Sequence, residues 1–199
     1  DSELSCWGDN RYYQLSQGDM QARLRPNAVA PESTWVRVCG GETHTCAISS
    51  PGALWCWGFN NDGQLGVGDA ARRSMPTRVG RFEDATDVAC GPRTTCALRG
   101  SGRLFCWGRT AELIEGTGDV TQPTSIPEPF EIEPNRRFRE ISVGSTHACA
   151  IRDDGALMCW GNNADAQVGI ASNSKMVERP TQIGERMGAG RRADGPGVA

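Results

Sequence analysis

The chain has 199 residues and a formal net charge of −3, and its 21 Lys and Arg form no sustained basic run, which excludes the electrostatic footprint of a nucleic-acid binder. No stretch approaches the ~18 consecutive apolar residues of a membrane helix. No charged-then-apolar leader precedes Asp1, and because such a leader can be removed, its absence does not argue for the cytoplasm. With 25 Gly and 11 Pro against 38% apolar residues, the composition implies many turns between short strands and an all-β fold.

Read in chain order, the first strand pattern runs from Leu4 into Cys6-Trp7-Gly8 and is followed by a polar loop to Pro26. Next come an apolar strand around Val38, a Gly, the strand Thr45-Cys46-Ala47-Ile48, a Pro-Gly turn and a strand closing on Cys56-Trp57-Gly58. The loop Asn60-Asn61-Asp62-Gly63-Gln64-Leu65-Gly66 then leads to Pro76-Thr77. The same series restarts near Val88 and again near Ile141. The four Cys-Trp-Gly cysteines, Cys6, Cys56, Cys106 and Cys159, lie 50, 50 and 53 residues apart. Leu4, Leu54, Leu104 and Leu157 keep that spacing, as do Cys46, Cys96 and Cys149, and Pro26, Pro76, Pro123 and Pro180. Four short strands per unit of about 50 residues predict the blades of a β-propeller. The units expected are a half blade over 1–30 and further blades over 31–80, 81–130 and 131–183, with 184–199 a Gly- and Arg-rich flexible tail. A Pro- and Glu-rich insertion is expected around Ile126 to Pro134.

These motifs resemble the repeats of the regulator of chromosome condensation family, in a cysteine-rich, bacterial-type form. The signature Val-x-x-Gly-x-x-His-x-x-Ala-Leu followed by Gly-x-Leu-x-x-Trp-Gly-x-Asn-x-x-Gly-Gln-Leu-Gly is read in Val38 to Gly66. It recurs with losses in Val88 to Asp119 and Ile141 to Gly169; Thr94 stands in place of His, and the loop from Arg109 to Ile114 lacks Gly-Gln-Leu-Gly. The resemblance implies a seven-bladed ring. Three complete blades and a half do not close one, so three readings stand: part of a longer propeller, which is favoured, pairing with a second copy, or a smaller open assembly.

The cysteine register carries its own information. Cys46 and Cys56 are symmetric about Pro51, Cys96 and Cys106 about Ser101, and Cys149 and Cys159 about Asp154, so each pair faces across a hairpin where a disulfide fits. In the chain-entropy account each such staple contributes roughly 2–3 kcal/mol. Structural zinc sites use Cys-x₂₋₄-Cys knuckles, which these spacings do not match. Free thiols are the other alternative, but paired Cys in three successive hairpins favour an oxidising compartment: extracellular, periplasmic or cell surface. Cys39 and Cys90 stand two residues and one residue before the repeat Gly41 and Gly91, so they point to opposite faces and either bridge adjacent blades or remain buried thiols. Cys6 lacks a partner ten residues upstream.

No constellation for catalysis or metal binding emerges, and neither enzyme activity nor a cofactor is expected. His44 and His147 share one repeat position with Thr94, as expected of residues bonding within their own blades rather than of a general base. Asp19 and Asp69, with Asp119, follow Gly in successive units and read as turn formers rather than calcium ligands, because their spacing does not match a calcium loop. Trp7, Trp57, Trp107 and Trp160 are repeat positions and are expected in blade packing. Trp55 has no Trp counterpart and is a candidate contact residue. The variable loops supply the other candidates, Arg72, Arg73, Arg109 and Glu112, with the segment Pro127 to Asn135. The function expected is a secreted or cell-surface scaffold that binds a protein. The resemblance also implies an alternative: the family includes an exchange factor for a nuclear GTPase, and a similar propeller inhibits β-lactamases. A sugar-binding role is disfavoured because each variable loop is poor in aromatic residues.

Overall fold

In the computed structural model, residues 3–30, 32–109, 125–170 and 174–184 are described. Fourteen strands form one two-stranded and three four-stranded antiparallel sheets. The two-stranded sheet pairs β1 (Ser5–Gly8) with β2 (Arg23–Ala28). The next blade is β3 (Trp35–Gly40), β4 (His44–Ser49), β5 (Ala53–Gly58) and β6 (Arg73–Arg78), in that spatial order. Then come β7 (Ala85–Cys90), β8 (Thr94–Arg99), β9 (Leu104–Arg109) and β10 (Ser125–Ile132), and finally β11 (Phe138–Val143), β12 (His147–Arg152), β13 (Leu157–Asn162) and β14 (Met176–Gln182). Strand β7 packs on β3 and β4, and β11 on β7 and β8, which places the first strand of each of these two blades innermost. This is propeller architecture with blades in sequence order.

The apolar alternation read from the sequence forms three cores lying between blades rather than one centre. Leu54, Val79, Phe82, Val88 and Trp107 fill the junction of the second and third sheets, and Leu98, Leu104, Phe138, Ile141 and Trp160 the next. Backbone bonds tie neighbouring blades together, as where Ala85 N–H donates to Gly52 C=O and Phe138 N–H to Gly102 C=O.

The third blade corrects the expected register. Thr77 and Thr181 lie opposite Cys56 and Cys159, but the residue opposite Cys106 is Phe130. Pro129, not Pro123, therefore holds the position of Pro76 and Pro180. Several Pro in one segment offered competing alignments, and only strand pairing decides among them. Most of the segment read as an insertion and a variable loop is thus the edge strand β10, which extends to Ile132, past the boundary placed after residue 130. Its start is fastened to the preceding blade: Ser125 Oγ donates to Asp62 C=O at 2.6 Å, and Gly68 N–H donates to Pro127 C=O at 2.9 Å.

Candidate functional site

Loop rigidity originates in a repeated polar knot. In the first unit Asn10 Oδ1 accepts the Leu15 N–H at 3.0 Å and its amide donates to Asp19 C=O at 2.6 Å. Asp19 accepts the Gln21 N–H at 2.9 Å and an Arg23 guanidinium N–H at 2.8 Å. Asn60, Leu65, Asp69, Ala71 and Arg73 repeat every one of these bonds fifty residues later. Asp19 and Asp69 are thus turn formers; the third expected member, Asp119, lies outside the described residues. The Arg partners and backbone donors hold both carboxyls below their ordinary range.

Each knot is locked by the following blade. Trp57 Nε1 and Thr45 Oγ1 both donate to Gln14 C=O, at 2.9 and 2.8 Å, and Trp107 Nε1 and Thr95 Oγ1 to Gln64 C=O, at 3.0 and 2.8 Å. Trp57, Trp107 and Trp160 are buried as expected of blade packing, whereas Trp7 is 60% exposed. The reason is geometric: Trp57 and Trp107 dock on the loop of an earlier unit, and no such loop stands against Trp7 among the described residues.

On this frame, side chains from two units meet. Tyr12 packs edge-on against Phe59 with ring centroids 5.1 Å apart, and the Arg72 guanidinium carbon lies 5.0 Å from the Phe59 centroid and 5.4 Å from that of Tyr12. An open cleft beside them is lined by Tyr13, Gly18, Met20, Arg72 and Ser74. Arg72 and Met20 are exposed, and Tyr12, Tyr13 and Phe59 are half-buried. Tyr13 adopts φ 66°, where the next unit has Gly63 at φ 74°. A bulky side chain in the left-handed region costs roughly 1–2 kcal/mol, a strain characteristic of functional surfaces. Among the described residues no carboxylate pairs with Arg72, so its N–H groups remain available for a ligand.

The other candidates are distributed elsewhere. Trp55 is half-buried on the core of Leu4, Val29, Trp35, Ala47 and Trp57; its indole donates to Ser49 Oγ at 3.0 Å beneath Arg78. Arg73 is tied to Asp69 at 2.6 Å inside the knot. Arg109 is an exposed residue of β9, and Glu112 lies outside the described residues. Of the sequence candidates among the described residues, only Arg72 joins the aromatic cluster. Tyr12 and Phe59 went unnoticed because each stands singly in its own unit. The available signal was their break with the repeat: Asp62 occupies the position of Tyr12, and Asp9 that of Phe59.

His44 is buried and its Nε2 lies 2.9 Å from Thr95 Oγ1. It therefore bonds across the blade junction, not within its own blade as the repeat position suggested; Thr94 does bond within its blade, donating to Arg109 C=O at 2.9 Å. Because Thr95 Oγ1 gives its hydrogen to Gln64 C=O, the imidazole bears its proton on Nε2. Burial lowers its pKa from 6.5 to about 4, keeping the ring neutral. The folded pKa is the depressed one, so stability is complete above pH 6.5 and is lost as pH falls toward 4, by about 3 kcal/mol in total. Urea melts at pH 7 and pH 4.5 should show this loss, and His44→Gln should flatten it.

The sulphurs form four bridges. Cys46–Cys56, Cys96–Cys106 and Cys149–Cys159 each join directly opposed residues with Cα atoms 4.1 Å apart, the close pairing of a non-hydrogen-bonded site. Cys39 and Cys90, with Cα atoms 5.5 Å apart, join β3 to β7 across the blade junction. Cys6 is free and half-buried, and its burial raises the thiol pKa.

Sequential four-stranded blades, Trp-locked Asn-Asp knots and inter-blade cores define a repeat propeller. The regulator of chromosome condensation (RCC1) repeat model matches residues 2–48, 51–98 and 101–151, and a second RCC1 repeat model matches 35–64 and 138–167. The chain belongs to the RCC1 repeat family. It is similar in structure to human WBSCR16, with a TM-score of 0.78 at 22% identity over 92% of this chain and 48% of that one. It is also similar to yeast RCC1 (Prp20), solved bound to Kap60, with a TM-score of 0.77 at 24% identity over 93% of this chain and 45% of that one. A separate structure of Prp20p from Saccharomyces cerevisiae, whose binding to Gsp1p and histones is named with it, gives a TM-score of 0.77 at 23% identity over 92% and 47%. The chain thus spans about half the length of these proteins.

Proposed function

We propose that this chain is part of a disulfide-stapled propeller working outside the reducing cytoplasm, in the extracellular space, the periplasm or at the cell surface. Its role is to bind a protein partner through the rim formed by Tyr12, Tyr13, Met20, Phe59 and Arg72. The observation that carries this reading is Arg72: a guanidinium held on two aromatic faces, with no carboxylate partner among the described residues, on loops that are already rigid. Such a site offers apolar area and a bidentate donor at little ordering cost, which is the composition of an interface hot spot. It suits a partner that presents a carboxylate beside apolar side chains. Four disulfides support the oxidising compartment.

The ring extends beyond the blades described, through further blades of the same polypeptide or through a second copy. Support comes from equivalent positions: Val38 on the outward face of the first complete blade is 52% exposed, whereas Val88 and Ile141, each covered by a preceding blade, are 6% and 9% exposed.

The binding role is tested by crosslinking the oxidised protein in its native medium and comparing wild type with Arg72→Glu and Phe59→Ala. Both variants should keep the wild-type melting temperature and lose the crosslinked partner, with affinity reduced at least tenfold, or ~1.4 kcal/mol. Undiminished capture of the same partner by both would reject this surface.

A further inference from the structure

We infer that the junction of the first two complete blades is a latent site for a soft divalent cation such as Zn²⁺, closed while its cysteines are oxidised and opened by reduction. Linear spacing conceals it, because the ligands come from four strands. In the β3–β4–β5 sheet Cys39 lies opposite Cys46, and Cys46 opposite Cys56, so three cysteines form a row across one face. His44 precedes Cys46 by two residues on β4 and therefore shares that face. Cys90 reaches the row from β7 of the next blade.

The ligand atoms of His44, Cys46 and Cys90 all lie within 4.8 Å of one another. Cys39 and Cys56 are bonded to members of that trio, so four sulphurs and an imidazole converge. Among the described residues this is the one group of three or more such ligands. The Nδ1 of His44 is buried with no hydrogen-bond partner. Cys39 and Cys90 are half-buried, leaving an approach from the surface. Tetrahedral Cys₃His or Cys₄ coordination, with metal–sulphur bonds near ~2.3 Å, is the arrangement that soft divalent cations take.

The redox step balances with a dithiol reductant. Two equivalents convert the Cys39–Cys90 and Cys46–Cys56 disulfides to four thiols and leave as two cyclic disulfides. The cation then binds the thiolates and releases their protons to solvent. Disulfides and metal are alternative occupants of one site, so the redox potential of the surroundings selects between them.

Co²⁺ is the probe. The full chain, reduced with a phosphine and freed of reductant anaerobically, should bind Co²⁺ with thiolate-to-cobalt charge-transfer absorption that Zn²⁺ abolishes. Cys39→Ser/Cys90→Ser should weaken binding at least tenfold and His44→Gln about tenfold, while Cys149→Ser/Cys159→Ser should leave it unchanged. Zn²⁺ should also raise the melting temperature of the reduced wild type. Absence of the band, equal binding by the Cys39/Cys90 and Cys149/Cys159 variants, or a reduced chain whose β-sheet circular dichroism is lost and not restored by Zn²⁺ would each overturn the site.

Discussion

Replacing Cys39 and Cys90 together by Ser should destabilise the oxidised protein by about 4 kcal/mol, more than the loss of any hairpin staple. In the chain-entropy relation the contribution rises with the loop closed. The hairpin bridges each span a sequence separation of 10, while Cys39–Cys90 spans 51. The corresponding figures are about 3 and about 4 kcal/mol. The difference is also architectural. A hairpin staple reinforces two strands that already share a hydrogen-bond ladder, whereas Cys39–Cys90 ties two blades joined otherwise by side-chain packing, side-chain hydrogen bonds and a few backbone bonds. Denaturant melts of Cys39→Ser/Cys90→Ser and Cys96→Ser/Cys106→Ser, compared with wild type, provide the check. A smaller loss in the first variant would mean that packing alone fixes the blade junction.

Gly58→Ala should cost about 3 kcal/mol, or roughly 10 °C in melting temperature. The Gly of each Cys-Trp-Gly sits at a β-bulge, where the pairing of β5 with β6 slips between Cys56 and Gly58. Its φ is 104°, 103°, 99° and 107° at Gly8, Gly58, Gly108 and Gly161, a region that L side chains rarely adopt. At Gly58 a Cβ would also lie 2.7 Å from Thr43 O and 2.8 Å from the His44 Cα, both backbone atoms that cannot swing away. Gly8 has the same φ but nothing within 4 Å of an added Cβ. Gly8→Ala therefore isolates the backbone strain, about 1 kcal/mol, and calorimetry of the two variants separates strain from collision. Equal losses would show that the collision with β4 contributes nothing.

The fold was legible because the repeat is written in covalent terms. Cys, Trp and Gly at a fixed interval each answer to a local requirement: a facing Cys, an indole donor, a positive φ. Hairpin symmetry located the three staples for the same reason. Register in β10 was not legible, because Pro123, Pro127 and Pro129 all suit an edge strand and only the pairing of Phe130 with Cys106 distinguishes them. The exposure of Trp7 and the bond from His44 to Thr95 depend on which blade stands alongside, a relation that no window of sequence contains. The Arg72 cluster lay deeper still. Tyr12, Phe59 and Arg72 are distant in the chain, none is a repeat position, and their meeting follows from how two successive loops are locked by Trp57 and Trp107. The converging Cys and His ligands were hidden in the same way, since nine-residue gaps along the chain say nothing about a row across three strands.

The oxidised, blade-bridging arrangement is the observation on which the proposed compartment rests. Peptide mass mapping after alkylation without reduction tests it most directly. Four linked pairs are expected, Cys39 with Cys90, Cys46 with Cys56, Cys96 with Cys106 and Cys149 with Cys159, with alkylation at Cys6 alone. Recovery of all nine cysteines as alkylated thiols from the protein in its native compartment would contradict it.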